Sequence, residues 1–208
     1  MTKEELLNYT KKYKKTTKRK LFIALVIITI ISFIIGILFL AILDKTGKKI
    51  VYDTILDYTK NLTTSNTKSI FICFKNNVLI AIVMWILGIS LFGIVFQIFF
   101  LISKSFITGF SLASFIYTFK VKGILIGLIY IIPSVFNLTL YFILSFFASN
   151  FSIYLFKYLF KNKEYNFKII MKKYFKILAV VCILLIISSL IEVYVIPFIL
   201  KLFTKSYF

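Results

Sequence analysis

The chain has 208 residues, of which 61% are hydrophobic and 19% aromatic, and its formal net charge is +19 at pH 7. A composition this apolar excludes an ordinary water-soluble domain and is typical of an integral membrane protein. The basic residues flank apolar runs and form no base-stacking pattern, so the expected partner of this charge is a lipid membrane and not a nucleic acid.

Reactive side chains are scarce. The sequence contains no histidine, which is the commonest general base and a frequent metal ligand. Cys73 and Cys182 lie in separate apolar regions and form no CxxC pair. No known catalytic motif is present either. We therefore expect no catalytic residue, no metal site and no cofactor, and an intramembrane enzyme is the least favoured hypothesis.

Residues 1–20 carry eight Lys/Arg and precede an uncharged apolar run, residues 21–43. This run of 23 residues is longer than the apolar region of a secretory signal, which has about 7–15 residues. It is long enough to cross about 30 Å of hydrocarbon. The pattern predicts a basic cytoplasmic tail followed by an uncleaved first membrane span.

Residues 44–77 form a polar connection that we expect on the outer face of the membrane. Within it, Val51, Ile55 and Tyr58 recur at helical spacing, while Asp53 and Asp57 fall on another face. This predicts an amphipathic helix. The plainer interpretation is that the helix covers the ends of the spans, and the alternative is that Val51, Ile55 and Tyr58 form a partner-docking surface.

The central stretch, residues 78–147, contains three charged side chains: Lys104, Lys120 and Lys122. They divide it into apolar runs that predict the second, third and fourth spans: 78–102, 105–119 and 123–147. The third run has only 15 residues, so it either crosses a thinned region or forms half of a broken element. Pro133 predicts a kink or an interruption in the fourth span.

The last third of the chain begins with residues 148–176, which carry seven lysines interleaved with aromatic and aliphatic residues. Such a segment is predicted to lie in the interface of the anionic cytoplasmic leaflet. Residues 177–208 then hold a fifth span, 177–200, and a short outer tail.

The distribution of positive charge predicts the orientation. With the N-terminus inside, 16 Lys/Arg face the cytoplasm and 10 face outward. In this count Lys104 belongs to a cytoplasmic loop. The predicted fold is therefore an all-α, polytopic membrane bundle of about five transmembrane helices, with its N-terminus inside and its C-terminus outside. The sequence leaves open whether the chain forms a homo-oligomer.

Small and polar residues within the spans are the candidate packing sites. Glycines let helix backbones approach closely in lipid, and polar groups can link helices across the bundle. Glu192 is the one acidic residue inside a predicted span, and burying its charge at mid-membrane costs about 2.5–3.5 kcal/mol. It is either a functional proton site or polar lock, or a structurally paired carboxylate. The candidates are Asn77, Gly88, Gly93, Gly109, Gly123, Gly127, Pro133, Asn137, Glu192 and Pro197.

Four stretches of this sequence resemble the stage II sporulation protein M family of endospore-forming bacteria. The first two similar stretches are 77–93, with its Trp-Ile-Leu-Gly-Ile-Ser run, and 106–110, which reads Phe-Ile-Thr-Gly-Phe. The third is 122–137, with a Gly-Ile-Leu run and an Ile-Pro pair, and the fourth is the Glu-x-x-x-x-Pro element within 191–197. The resemblance covers about residues 20–200. The Asn-Gly pair usual after the family's second span is replaced here by Ser105-Phe106.

The resemblance implies a scaffold without catalytic activity of its own. Family members lie in the mother-cell membrane at the sporulation septum. There they anchor two cell-wall-degrading partners, a peptidoglycan lytic transglycosylase and an amidase, for engulfment of the forespore. The competing hypothesis from the residues is a transporter or channel component, because Glu192, Pro133 and a short third span are features of transport sites.

Overall fold

The computed structural model describes residues 3–62, 67–90, 92–160, 167–195 and 198. These residues form five helices and one π-helical turn, with no strand among them, so the predicted all-α class is confirmed. The helices are α1 (Lys3–Ile42), α2 (Lys45–Leu62), α3 (Thr67–Gly88), α4 (Gly93–Phe160) and α5 (Phe167–Leu190), and the π-helical turn Ile191–Val195 follows α5.

Among the described residues, four helical segments are long and apolar enough to cross a membrane: Lys18–Ile42, Gly93–Val121, Gly123–Lys157 and Lys168–Val195. Their outward surfaces are strongly apolar. On α1, for example, Ile30, Ile34 and Leu38 are each about half exposed or more, at 53%, 49% and 56%. Contiguous exposed apolar surface of this kind is stable in lipid and not in water. The apolar part of α3, Cys73–Gly88, is shorter, so the count of five spans stays a prediction.

The predicted boundary between the second and third spans is wrong. The chain breaks between Gly88 and Gly93, where α3 ends and α4 begins, whereas Lys104 lies inside a continuous helix. Two backbone hydrogen bonds close this turn: the Ser90 N–H donates to the Leu87 carbonyl and the Gly93 N–H donates to the Ser90 carbonyl. Glycine and serine tolerate such a turn better than the surrounding branched residues. The third span is consequently not short, because it extends over Gly93–Val121.

Helix α4 is interrupted at Lys120, whose backbone has φ 53° and ψ −126°. We call residues 93–119 its first arm and residues 121–160 its second arm. Of the kink or interruption predicted at Pro133, the interruption is absent, since the helix continues through that residue. The proline ring removes one backbone donor there, but the chain reverses direction 13 residues earlier.

Residues 148–176 do not form one interfacial segment, which corrects the prediction. Residues 148–160 continue the second arm of α4, and α5 begins at Phe167. Ala148, Phe151 and Tyr174 are buried together. These three side chains pack between the second arm, α3 and α5, and the described lysines Lys157, Lys168, Lys172 and Lys173 lie near the ends of the two long helices.

Contacts between helices fix their directions. Helix α1 runs alongside the first arm in the same direction, since Ser105 Oγ donates to the Thr29 carbonyl and Gly109 lies against Phe33. It runs opposite to the second arm, because Lys18 lies over Tyr154 while Phe22 contacts the ring of Phe142 farther back along the chain.

Helix α3 runs parallel to the second arm and antiparallel to α5. Asn77 contacts Tyr141 at one level and Gly88 contacts Ala148 at the other. The ring of Trp85 stacks on Tyr174, 5.5 Å between centroids. We call the end of the bundle near Lys18 and Tyr174 the basic end, and the opposite end the α2 end.

The bundle core lies between α3, the second arm of α4 and α5. Its side chains are fully or almost fully buried, and the Tyr174 hydroxyl donates to the Trp85 carbonyl at 2.9 Å. The central members are Ala81, Met84, Leu140, Tyr141, Leu144, Val181 and Leu185.

Helix α1 is held against the first arm of α4 by a close backbone contact that we call the glycine seam, formed by Gly36 and Gly109. A Cβ atom at Gly36 would overlap the Phe106 carbonyl, and one at Gly109 would overlap the Phe33 carbonyl. Gly109 was predicted as a packing residue, whereas Gly36 was not. Gly88 is enclosed by Tyr174 and Ala148, and Gly123 is enclosed by the Phe115 backbone. Gly93 packs against Leu87 and Gly88.

Replacing Gly109 with alanine should destabilise the bundle by about 1–3 kcal/mol, because the facing backbone cannot yield without separating the helices. Gly127→Ala is the matched control: its Cβ would meet Leu112 Cδ1 at 3.2 Å and Phe115 Cβ at 3.3 Å, so its neighbours need to move by only a few tenths of an ångström. Thermal unfolding of both variants in one detergent measures the difference. Equal melting temperatures would contradict the seam.

Candidate functional site

A cluster of polar side chains lies inside the bundle near the α2 end. Glu192 belongs to the π-helical turn that follows α5, and its side chain is only partly exposed. The Cys73 thiol of α3 donates to Glu192 Oε2 at 3.3 Å. A π-helical turn carries one extra residue and is often found at functional positions. Here the turn directs the carboxylate towards α3.

Asn77 connects this cluster to two further helices. Its Nδ2 donates to Ser189 Oγ of α5 at 3.2 Å and lies 3.6 Å from Cys73 Sγ, one helical turn away. The Tyr141 hydroxyl of α4 lies 3.1 Å from the Asn77 carbonyl and 3.2 Å from its side-chain oxygen. One asparagine thus joins α3, α4 and α5.

Lys104 brings a positive charge into the same region. It lies half-buried in the first arm of α4, with its Nζ 5.6 Å from the centre of the Tyr141 ring, and it interacts electrostatically with Glu192. Opposite charges that face the bundle interior reduce the cost of holding each in hydrocarbon. The predicted cytoplasmic loop around Lys104 is wrong, because the surrounding apolar helix is continuous.

The predicted candidates separate into those that join the cluster and those that do not. Asn77 and Glu192 join it. Asn137 is buried one helical turn before Tyr141, and its Oδ1 has no hydrogen-bond partner within the described part of the chain. The buried side chain of Gln97 does not join the cluster either, because its Nε2 donates to the Met84 carbonyl at 2.6 Å. Pro197 lies outside the described residues.

Sequence reasoning missed Cys73, Lys104, Tyr141 and Ser189 as members of the cluster. The four-residue spacing of Cys73 and Asn77 was a usable signal, since it places both on one face of α3. No comparable signal linked Tyr141 or Ser189, because these contacts join residues 64 and 112 positions apart.

The amphipathic helix predicted in the outer connection is present as α2. Its first turn is capped by Asp44, whose carboxylate accepts hydrogen bonds from the Thr46 hydroxyl at 2.7 Å and the Gly47 N–H at 2.8 Å. These two hydrogen bonds, the Thr46 bond first, lower the pKa of Asp44 below its ordinary value.

The face of α2 that bears Val51, Ile55 and Tyr58 turns towards the bundle. The Tyr58 ring contacts Tyr130 and Phe115, with centroids 5.6 and 6.5 Å away, and Val51 and Ile55 are partly buried. This geometry favours the covering interpretation for these three side chains. The opposite, exposed face, which we call the α2 outer face, consists of Ile50, Asp53, Thr54 and Asp57.

The transporter hypothesis loses two of its three supports. The short third span and the interruption at Pro133 are both absent from the structure. Only the partly buried carboxylate of Glu192 is left, and it has hydrogen-bonding and electrostatic partners.

The lipid-facing helices, the glycine seam and the internal polar cluster define a polytopic α-helical membrane protein. The family model for stage II sporulation protein M matches residues 22–197. The chain therefore belongs to the stage II sporulation protein M family, and it is a sporulation membrane protein. This confirms the resemblance seen in the sequence. Searches of curated proteins and of solved structures gave no match.

Asn77→Ala should lower the stability of the bundle by about 1–2 kcal/mol, because the links to Ser189 and Tyr141 are lost together. Asn76→Ala is the matched control, since the Asn76 side chain is exposed. Thermal unfolding in detergent compares the two variants with the parent protein. An equal loss of stability in the Asn77→Ala and Asn76→Ala variants would refute the role of Asn77 as a link between helices.

Asp44→Ala should speed hydrogen exchange in the first turn of α2 severalfold at pH 7, since the cap is lost. The folded pKa of Asp44 is lowered, so the cap is fully present above the ordinary pKa near 4 and is lost as the pH falls through the lowered value. The difference between parent and variant should therefore shrink below about pH 4. Asp53→Ala is the control, and a difference that does not change with pH would contradict the assignment.

Proposed function

We propose that this protein is a non-catalytic membrane scaffold that anchors and positions peptidoglycan-degrading partners, a lytic transglycosylase and an amidase, at the sporulation septum during engulfment. These partners and the location in the mother-cell membrane are what the resemblance to the family implies, and the chain's membership of the family supports them. The orientation follows from the charge pattern, which puts the basic end in the cytoplasm and α2 outside.

The observation that carries the proposal is the double-sided geometry of α2. One face of this helix is fixed on the bundle through Tyr58, while the α2 outer face stays exposed and carries two carboxylates, Asp53 and Asp57. A helix immobilised on one side and open on the other presents a rigid surface to an extracytoplasmic domain. Rigid presentation lowers the entropic cost of binding.

The α2 outer face replaces the docking surface predicted from sequence. The predicted residues Val51, Ile55 and Tyr58 serve to attach α2, so their loss would disturb the bundle together with any partner. Asp53 and Asp57 can be changed without disturbing that attachment, because both side chains are exposed. They also suggest that the partner surface is basic at the point of contact.

Asp53→Lys with Asp57→Lys should reduce recovery of both wall-degrading enzymes from sporulating cells by at least about tenfold, because like charges would then meet at the contact. Lys75→Glu is the control, a charge reversal at an exposed position on α3. Recovery is measured by affinity purification of the full-length, tagged protein and quantitative detection of each enzyme.

Membrane insertion and melting temperature should stay unchanged in the double variant. Unaltered recovery of both enzymes would refute docking at the α2 outer face. Hydrolysis of peptidoglycan by the purified protein alone would refute the non-catalytic role.

A further inference from the structure

A groove of about 660 Å³ runs between the second arm of α4 and α5, and its lining extends to Lys18 and Tyr154 at the basic end. Its walls are apolar along most of their length, formed by Leu140 and Phe147 on one side and by Ile177, Val180 and Leu184 on the other. This volume lies within the range of sites that bind small molecules.

The end of the groove near the N-terminal part of α1 is chemically different. Lys18 of α1 and Lys173 and Lys176 of α5 line it, together with Asn150 and Tyr154. The three lysines come from two helices and are all exposed, and no acidic residue is found among the described lining residues. Positive charge therefore gathers at one end of an apolar channel.

The dimensions match one leaflet of a bilayer. Along each helix the groove covers about 14 residues, or roughly 21 Å at 1.5 Å per residue. Half of the hydrocarbon thickness is about 15 Å, which leaves several ångströms for a headgroup. The lysines thus lie at headgroup depth when the apolar walls lie at acyl-chain depth.

We propose that this groove is a binding site for one anionic phospholipid of the cytoplasmic leaflet. The headgroup phosphate lies among Lys18, Lys173 and Lys176, and an acyl chain lies between α4 and α5. Lysines adjacent to an apolar wall prefer a negatively charged lipid over a zwitterionic one, because each lysine adds attraction to the anion. This site is independent of the proposed docking at α2, which lies at the other end of the bundle.

The test uses the full-length protein purified in detergent, with dioleoyl-phosphatidylglycerol and dioleoyl-phosphatidylcholine as probes and native mass spectrometry as the measurement. Lys173→Gln with Lys176→Gln should weaken phosphatidylglycerol binding about 25-fold, or about fivefold for each lysine. The matched control is Lys168→Gln with Lys172→Gln, two exposed lysines on the same helix that do not line the groove. The control should change binding less than about twofold.

A second pair of variants tests the acyl-chain part of the site. Val180→Trp should fill the groove and lower the binding of both lipids, whereas Ile183→Trp, at an exposed position outside the groove, should leave it unchanged. Equal weakening by the two lysine pairs would overturn the proposal in favour of general surface attraction. Equal affinity of the parent protein for the two lipids would overturn it as well.

Discussion

The contact between the backbones of α1 and α4 at Gly36 and Gly109 is the constraint on which the rest of the bundle depends. In lipid, apolar side chains gain little by leaving the solvent, so close packing and internal hydrogen bonds must hold helices together. The seam brings α1 near enough for Ser105 to reach the Thr29 carbonyl. It thereby joins the first span to the group formed by α3, α4 and α5, and this arrangement positions the support on which α2 rests.

The same requirement explains why polar side chains collect inside the bundle. Glu192, Lys104 and Asn77 would each be costly against acyl chains, and the helices turn them towards one another near the α2 end. Asn77 links three helices, so the cluster also fixes their relative heights. A scaffold needs a rigid α2 end of the bundle if its exposed helix is to hold a partner at a constant position.

Much of this architecture was predictable because it follows from composition and periodicity. The all-α class was predicted correctly, and helices are found where the first span and the amphipathic helix were predicted. The break between α3 and α4 was placed at Lys104 because a charge was taken to end a span. A lysine that lies over a tyrosine ring can be located inside a span, and Gly88, Ser90 and Gly93 determine the turn instead. Tyr141 and Ser189 could not be predicted, since their contacts join distant parts of the chain.

The central claim is that the bundle crosses the membrane with α2 outside and the basic end inside. Single cysteines introduced as Asp53→Cys and Lys172→Cys, with Cys73 and Cys182 replaced by serine, test this with a membrane-impermeant maleimide on intact cells. We predict that position 53 reacts before lysis and position 172 only after the membrane is permeabilised. Reaction of both positions before lysis, or of position 172 alone, would contradict the account.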